Sequence, residues 1–541
     1  MKNRIFFVGL LLLGVRVVHA QTPTPQPNVA RPGVARPNVL FIAVDDLKPL
    51  LNGYGESRMK TPNIDRLARR GTVFLRNYCQ QAVCAPSRAS IMTGQRPDYT
   101  RVWDLQTFIR DRNPAILTLP QYFRQNGYVT TGIGKVFDNR SVDPQDDAPS
   151  WSMPYERLND SDFAEGYGRP KRNYYQAPET LKLLARIEQQ ADAQGLTGEA
   201  RAKFLNANRG PAVEAAEVPD DAYTDGAVAK RAVATIAELA KGNQPFFYAV
   251  GFVRPHLPFV SPRKYWDLYD PATIQRADYQ QFAQNSPAFA YQPSGELVNA
   301  YLLPNGERYP TGYAPKPADQ QRDLIHGYYA SVSYMDAQVG KLLDELDRQG
   351  LTQNTIIVLW GDHGWHLGDH GIWCKHTNFE QATRAPLIVA APGYNGGQKA
   401  AGLTEFVDVF PTLTDLAGLK TPEKLAGKSL VPILKNPAAT VKPFAQSQYP
   451  RRNSDVAPTS DGHLMGYAIR TDRYRYVAWF AEDFTSKRVS PTARPVAVEL
   501  YDYQQDPNET RNVAEDESHQ SVAKEHQKLL VGFLANQNQS R

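Results

Sequence analysis

Val39–Val44, Phe246–Phe252 and Thr355–Trp360 are near-continuous apolar runs, not alternating ones. That is the pattern of strands buried on both faces of a parallel sheet. Between them, apolar residues recur at helical spacing over Ile64–Arg70, Ile116–Asn126, Asp221–Lys241 and Leu324–Gln349. Strands alternating with helices predict a doubly wound α/β sandwich. Each run ends in polar, titratable residues: Asp45 and Asp46, then Arg254, Pro255 and His256, then Asp362 and His363. Ligands gather beyond the carboxyl ends of such strands, so the three ends predict a single site.

The texture changes toward the C-terminus. From about Ser447 the runs are shorter and alternating, as in Tyr467–Trp479 and Val496–Tyr503, followed by a helical stretch over Ser518–Asn536. These predict a small antiparallel sheet with a terminal helix packed on the larger domain. Asp138–Pro219 has little regular pattern in its first half and reads as an insertion near the cleft. Met1–Ala20 carries Lys2 and Arg4, then an apolar run, then Val18, His19 and Ala20, the layout of a secretory signal peptide cut near Ala20. Gln21–Pro37 is a proline-rich linker without apolar periodicity. The expected partition is therefore 1–20 signal, 21–37 linker, 38–446 catalytic domain and 447–541 C-terminal subdomain.

Composition narrows the class. The chain has 541 residues, 42% hydrophobic and 22% charged, with a net charge of +5 from 61 basic and 56 acidic residues. No block of like charge occurs, which argues against a nucleic-acid arm and against a polybasic membrane anchor. The N-terminal apolar run is too short for a stable bilayer anchor. A secreted or periplasmic protein is expected. Cys79, Cys84 and Cys374 are too few for a disulfide scaffold; Cys79 and Cys374 are free to pair or to remain reduced.

Cys84-Ala-Pro-Ser-Arg88, followed by Ala89 to Gly94, places a thiol at the mouth of a short helix and a guanidinium one turn in. Pro86 suits the first helical position, and the free amides with the positive end of the helix dipole form an anion site around Cys84. A buried helix-start cysteine is the simpler alternative. Asp45 and Asp46 repel and desolvate one another unless a cation neutralises them, although an Asp pair also suits a turn or a helix cap. Asp362 and His363 add ligands at the same edge, and the preponderance of oxygen favours calcium or magnesium over zinc.

The motif CxPSR with its following TG turn resembles the signature of the sulfatases. The resemblance extends through Asn38–Leu47, TPNIDRL (61–67), QQAVCAPSR, TGQRPD, GYVTTGIGKVF, PHLPF, GDHGWHLGDHG with Lys375 after it, and the LYD and DPNET elements near the end. It is similar to the iduronate-2-sulfatase branch. The resemblance implies an alkaline-phosphatase-like sandwich: a large, mixed, mostly parallel sheet between helices, plus a small C-terminal antiparallel-sheet subdomain. It implies conversion of Cys84 to formylglycine by a formylglycine-generating enzyme, and one calcium ion held by Asp45, Asp46, Asp362 and His363 beside residue 84. Arg88 would restrain the diol, Lys135, His256 and Lys375 would contact the sulfate, and His256 and Lys375 would protonate the departing oxygen. The implied substrate is a sulfated oligosaccharide or polysaccharide, with uronate 2-O-sulfate one candidate.

One position departs from the pattern. The branch reads GKVFH where this chain has Gly134-Lys-Val-Phe-Asp138. Asp138 either replaces the histidine as general base, with a reference pKa of about 3.9 against about 6.5, or is a loop residue. Arg101, Trp365 and His463 are candidate sugar contacts, and His366, His370 and His376 read as loop or supporting residues. Two other functions fit the residues: a phosphohydrolase on the same fold, and an inactive glycan-binding homologue.

Overall fold

The computed structural model describes residues 36–451, 463–482 and 494–539. The expected signal peptide and nearly all of the expected linker lie outside them. The three apolar runs form strands β1 (Asn38–Val44), β4 (Phe246–Phe252) and β5 (Thr355–Gly361). With β2 (Thr72–Tyr78), β3 (Val129–Gly134), β6 (Leu387–Ala390) and β7 (Gln398–Glu405) they make a seven-stranded sheet in the order β7-β2-β6-β5-β1-β4-β3. β1 is central and parallel to both β4 and β5, and its Val44 is level with Phe252 on one side and Gly361 on the other. The three strand ends therefore meet at one edge. The sheet is mixed because β6 runs antiparallel to both of its neighbours, β5 and β2.

Alternate residues of β1 enter two cores, as a strand buried on both faces must. Leu40, Ile42 and Val44 pack with Ile64 and Leu67 of α1 (Pro62–Arg70) and with apolar residues of two longer helices described below. Val39, Phe41 and Ala43 face α2 (Cys84–Thr93) and α3 (Leu119–Gln125). α3 starts at Leu119, later than its apolar pattern, because Thr118 forms a capping box with Gln121 and Pro120 fills the first turn. The second half of 138–219 holds α4 (Pro178–Ala193) and α5 (Gly198–Ala207). α6 (Thr224–Leu239) and α8 (Ala318–Arg348) supply the long helices of the first core, with the short α7 (Gly295–Val298) between them. α8 begins ahead of its expected start because the first turn, Ala-Asp-Gln-Gln-Arg-Asp, is polar and carries no periodic signal.

The C-terminal run forms a second sheet, β8 (Ala445–Arg451), β9 (His463–Arg470), β10 (Tyr474–Glu482) and β11 (Ala497–Asp502), wholly antiparallel in chain order. Leu530 and Leu534 of α9 (Gln520–Gln539) cover one face against Met465, Ile469 and Phe480. The other face, with Leu464, Val477 and Trp479, packs on Tyr291, Ile372 and Phe379. β8 also touches the segment that leads to Cys84: Gln448 N donates to Gln80 O at 2.8 Å and Ser447 Oγ to Cys79 O at 2.5 Å. Among the described residues no helix is long and apolar enough to cross a membrane. All three cysteines are buried free thiols, so the question of a Cys79–Cys374 bridge resolves to none.

Candidate active site

The edge where β1, β4 and β5 end carries a dense cluster of buried charge. Asp45 leaves β1 with its amide still on Phe252 O, while Asp46 takes φ 57°, a left-handed turn that Asp tolerates better than most residues. Asp362 follows β5, and its Oδ1 accepts the Asp46 amide at 3.0 Å. α2 begins at Cys84 itself, so Pro86 sits third in the helix and not first; its missing N–H still falls among the amides that would have had no partner.

Arg88, one turn in, is wholly buried. Its Nε donates to Asp362 Oδ2 and its Nη2 to Asp45 Oδ1, each at 2.9 Å, and Nη1 donates to the carbonyls of Lys135 and Val136. The guanidinium thus braces two carboxylates and the Lys135 loop at once. Lys135 Nζ lies 2.5 Å from Asp45 Oδ2, and Lys375 Nζ 2.9 Å from Asp46 Oδ1. Glycine is required under Lys135: a Cβ on Gly251 would fall 2.1 Å from the Lys135 carbonyl carbon, and Gly134 (φ 77°) approaches Gly251 equally closely.

His363 supplies the test of whether these residues suit a metal. Its Nδ1 donates to Gly364 O at 3.0 Å, which turns Nε2 toward the cluster. That nitrogen faces Asp46 Oδ1 at 3.4 Å, Asp362 Oδ1 at 3.6 Å and Cys84 Sγ at 3.6 Å. Two carboxylates, a sulfur and an imidazole nitrogen converging at this spacing fit a cation, and the oxygen-rich set fits a hard one. Ligand atoms of Asp45, Asp46, Cys84 and His256 lie within 4.8 Å of one another, as do those of Cys84, Asp362 and His363. Burial, Asp45 and Glu296 outweigh Lys375 and push the Asp46 carboxyl up to about 7, a cost that a bound cation would relieve. Burial and Asp45 likewise push the Cys84 thiol well up, so the unmodified side chain is a poor nucleophile.

Glu296, on α7, is the residue that sequence reasoning missed. Its Oε1 lies 2.9 Å from His256 Nε2, and its Oε2 lies 3.0 Å from Lys375 Nζ. The other ring nitrogen of His256 faces Leu257 O at 2.6 Å. Burial and Lys375 push this imidazole's pKa down, yet both nitrogens face acceptors, an arrangement that only a ring protonated on both satisfies. Glu296 sits on a single helical turn too short to show periodicity, and no motif marks it.

Asp138 is buried beside Lys135. Arg140 grips it with Nε at 2.8 Å and Nη2 at 2.6 Å, while Lys135 Nζ stands 3.7 Å away. Burial raises its pKa, but the Arg140 bonds and Lys135 prevail and hold it far below the carboxylate range. Trp365, expected near a sugar, is fully buried under Lys375 Nζ at 4.9 Å and edge-on to Phe259. His366 is bonded to Thr377 Oγ1 at 3.0 Å, and His370 stacks on Phe379. His376 packs against Tyr449. Arg101 covers Trp103, and His463 opens β9.

Comparison with known proteins gives this arrangement its relatives. Residues 37–419 match the Sulfatase family, and residues 368–536 match the C-terminal region of N-sulphoglucosamine sulphohydrolase. Iduronate 2-sulfatase of Mus musculus is 35% identical over 89% of this chain and 91% of its own length. That of Homo sapiens is 34% identical over 94% and 96%. Among solved structures, phosphonate monoester hydrolase from Silicibacter pomeroyi superposes with a TM-score of 0.68 at 22% identity, covering 92% of this chain and 95% of its own. A 2-O GAG sulfatase reaches 0.64 at 21% identity, covering 93% and 92%. These two show the fold alone, which is the alkaline-phosphatase-like sandwich expected from the motifs. Family match and sequence identity over nearly the whole length agree that this chain belongs to the sulfatases, enzymes that hydrolyse sulfate esters, and that it resembles their iduronate-2-sulfatase branch.

Proposed function

We propose that the protein is a secreted or periplasmic, calcium-dependent sulfatase that removes O-sulfate from a sulfated glycan, with uronate 2-O-sulfate the leading candidate. The observation that carries this reading is the convergence of His363 Nε2 on Asp46, Asp362 and Cys84 Sγ at 3.4 to 3.6 Å. It supports a cation directly beside residue 84. The substrate class rests on the likeness to the two iduronate 2-sulfatases named above.

Oxidised by a formylglycine-generating enzyme and hydrated, residue 84 would supply the hydroxyl nucleophile. A calcium ion held by Asp45, Asp46, Asp362 and His363 would supply positive charge against the sulfate oxygens. Every other part belongs to side chains already in place. Lys135 and Lys375 stand on either side of the aspartate pair and stabilise the equatorial oxygens. A sugar alkoxide is a poor leaving group, so a proton must reach the bridging oxygen as the ester bond breaks. His256 holds that proton on Nε2, and Glu296 orients the ring and tethers Lys375. Arg88 fixes Asp45 and Asp362 rather than reaching the substrate. Asp138 holds Arg140 and the Lys135 loop; its low proton affinity supports that loop role over the role of base.

The test is turnover of a panel of sulfated uronic-acid and hexosamine oligosaccharides by protein produced with a formylglycine-generating enzyme, before and after chelation. Sulfate release that chelation removes and calcium restores is the expected result. No release from any sulfated sugar, with the modification confirmed, would leave only a binding role.

A further inference from the structure

Tyr328 of α8 is fully buried and lies against the turn that follows β1. Its hydroxyl donates to Asp46 O at 2.7 Å and accepts the Lys48 amide at 2.8 Å. One oxygen therefore satisfies two main-chain groups of the turn that carries Asp46. Asp46 sits at φ 57°, and a residue other than glycine keeps such a conformation only where its surroundings impose it. Asp362 Oδ1 takes the Asp46 amide, and Leu47 lies so close to Gly361 that a Cβ there would fall 2.8 Å from Leu47 O. Tyr328 takes the carbonyl of Asp46 and the amide two residues on.

Tyr328 is itself well seated. Phe259, three residues after His256, stands edge-on to its ring at 5.5 Å and edge-on to Trp365 at 6.2 Å, and Trp365 lies under Lys375 Nζ. α8 comes this close because residue 327 is glycine: a Cβ there would fall 2.9 Å from the Cβ of Phe259. The turn has a second anchor in Lys48, whose Nζ lies 3.1 Å from Asp369 Oδ2, an oxygen that also accepts the Leu367 amide at 3.0 Å. One hydroxyl thus ties the turn to α8, and one ion pair ties it to the hairpin that precedes Lys375.

We propose that Tyr328 is a positioning residue for the metal: its hydroxyl fixes the Asp45–Lys48 turn so that Asp46 reaches the cation, and the Lys48–Asp369 pair anchors the same turn. The inference rests on the calcium reading of the site and extends it to residues outside the ligand set. Without the hydroxyl, Asp46 O and the Lys48 amide are buried without a partner, and the turn relaxes to find new ones. Groups that hold ligands in place commonly govern metal affinity by about 10–100-fold.

The test is calorimetric titration of calcium into formylglycine-containing protein stripped of metal by chelation. Tyr328→Phe, which removes one oxygen and keeps the ring, should weaken calcium binding by about tenfold or more. Lys48→Met, which keeps the stem and drops the ammonium, should weaken it in the same direction. Tyr269→Phe is the control, because that hydroxyl takes the Lys60 amide at 2.8 Å and meets Ser333 Oγ of α8 at 2.6 Å, with no bond to residues 45–48. It should lower the melting temperature of the metal-free protein as Tyr328→Phe does, yet leave calcium affinity unchanged. Wild-type binding with Tyr328→Phe and Lys48→Met both within about threefold of it overturns the proposal and leaves the calcium reading standing. An equal loss of affinity in Tyr269→Phe also overturns it, since the hydroxyl would then contribute general stability only. Wild-type protein that takes up no calcium overturns both readings.

Discussion

At the scale of single residues the site is a set of side chains whose partners limit what each can do. Asp138 has its oxygens taken by Arg140. Asp138→Asn should therefore lower kcat by less than about tenfold, whereas loss of a true general base costs about 10²–10⁴-fold. Steady-state kinetics on the preferred substrate decide between the two. Glu296 makes the opposite prediction. In Glu296→Gln the carboxylate charge that orients His256 and tethers Lys375 is gone while the shape is kept. Turnover of alkyl sulfates should fall by about tenfold or more, and turnover of nitrophenyl sulfate, which needs no proton, should fall much less. Equal slowing of both substrates would show that Glu296 serves structure only. Asp45, Asp46, Cys84 and Arg88 could be singled out from the chain because adjacent carboxylates after an apolar strand and a thiol before a Pro-Ser-Arg turn are costly without a purpose. Glu296 could not, since its meaning depends on contacts with His256 and with Lys375, 79 residues further along the chain, and nothing local records them.

At the scale of elements the site depends on how closely strand ends approach. Gly251 is the penultimate residue of β4, where a Cβ would collide with the passing Lys135 backbone. Gly251→Ala should destabilise the fold by roughly 3 kcal/mol and displace Lys135, lowering both melting temperature and kcat. An unchanged melting temperature would mean that the two backbones separate freely. Strands β1, β4 and β5 were readable because burial on both faces leaves an unbroken apolar run, and their polar ends already implied a shared edge. The direction of β6 was not, because four apolar residues look the same whichever way they run. The start of α8 was hidden for a related reason: its first turn is solvated and polar, so helical phase appears only once the helix reaches the core.

At the scale of the whole molecule, the two sheets and the segment that follows α2 are joined through one buried carboxylate. Glu405 at the end of β7 pairs with Arg96 at 2.7 Å and Lys442 at 2.5 Å, and accepts the Gln446 amide at 2.9 Å. Burial opposes its ionisation, but Arg96 and Lys442 prevail and hold it down at about 2. A carboxyl depressed from 4.5 stabilises the fold above pH 4.5, and that stabilisation is lost as pH falls toward 2. Glu405→Gln should therefore melt well below wild type at pH 7, with the gap closing between about pH 4.5 and 2. A gap independent of pH would show that the pair contributes packing and not charge. The division of the chain into a large sheet and a small C-terminal one was visible in the change of texture near Ser447. Their coupling through Glu405, and through Ser447 and Gln448 to the strand leading into Cys84, was not, because it joins residues far apart in the chain.

The account turns on the chemical state of residue 84. Trypsin releases Asn77–Arg88, a peptide that also contains Cys79 as an internal control for a free thiol. Mass spectrometry of that peptide from protein active on a sulfate ester should show one alkylatable thiol, at Cys79, and a mass about 18 Da below that of the two-cysteine form, a difference set by conversion of a thiol to an aldehyde. Fully active protein whose peptide alkylates at both cysteines would contradict it.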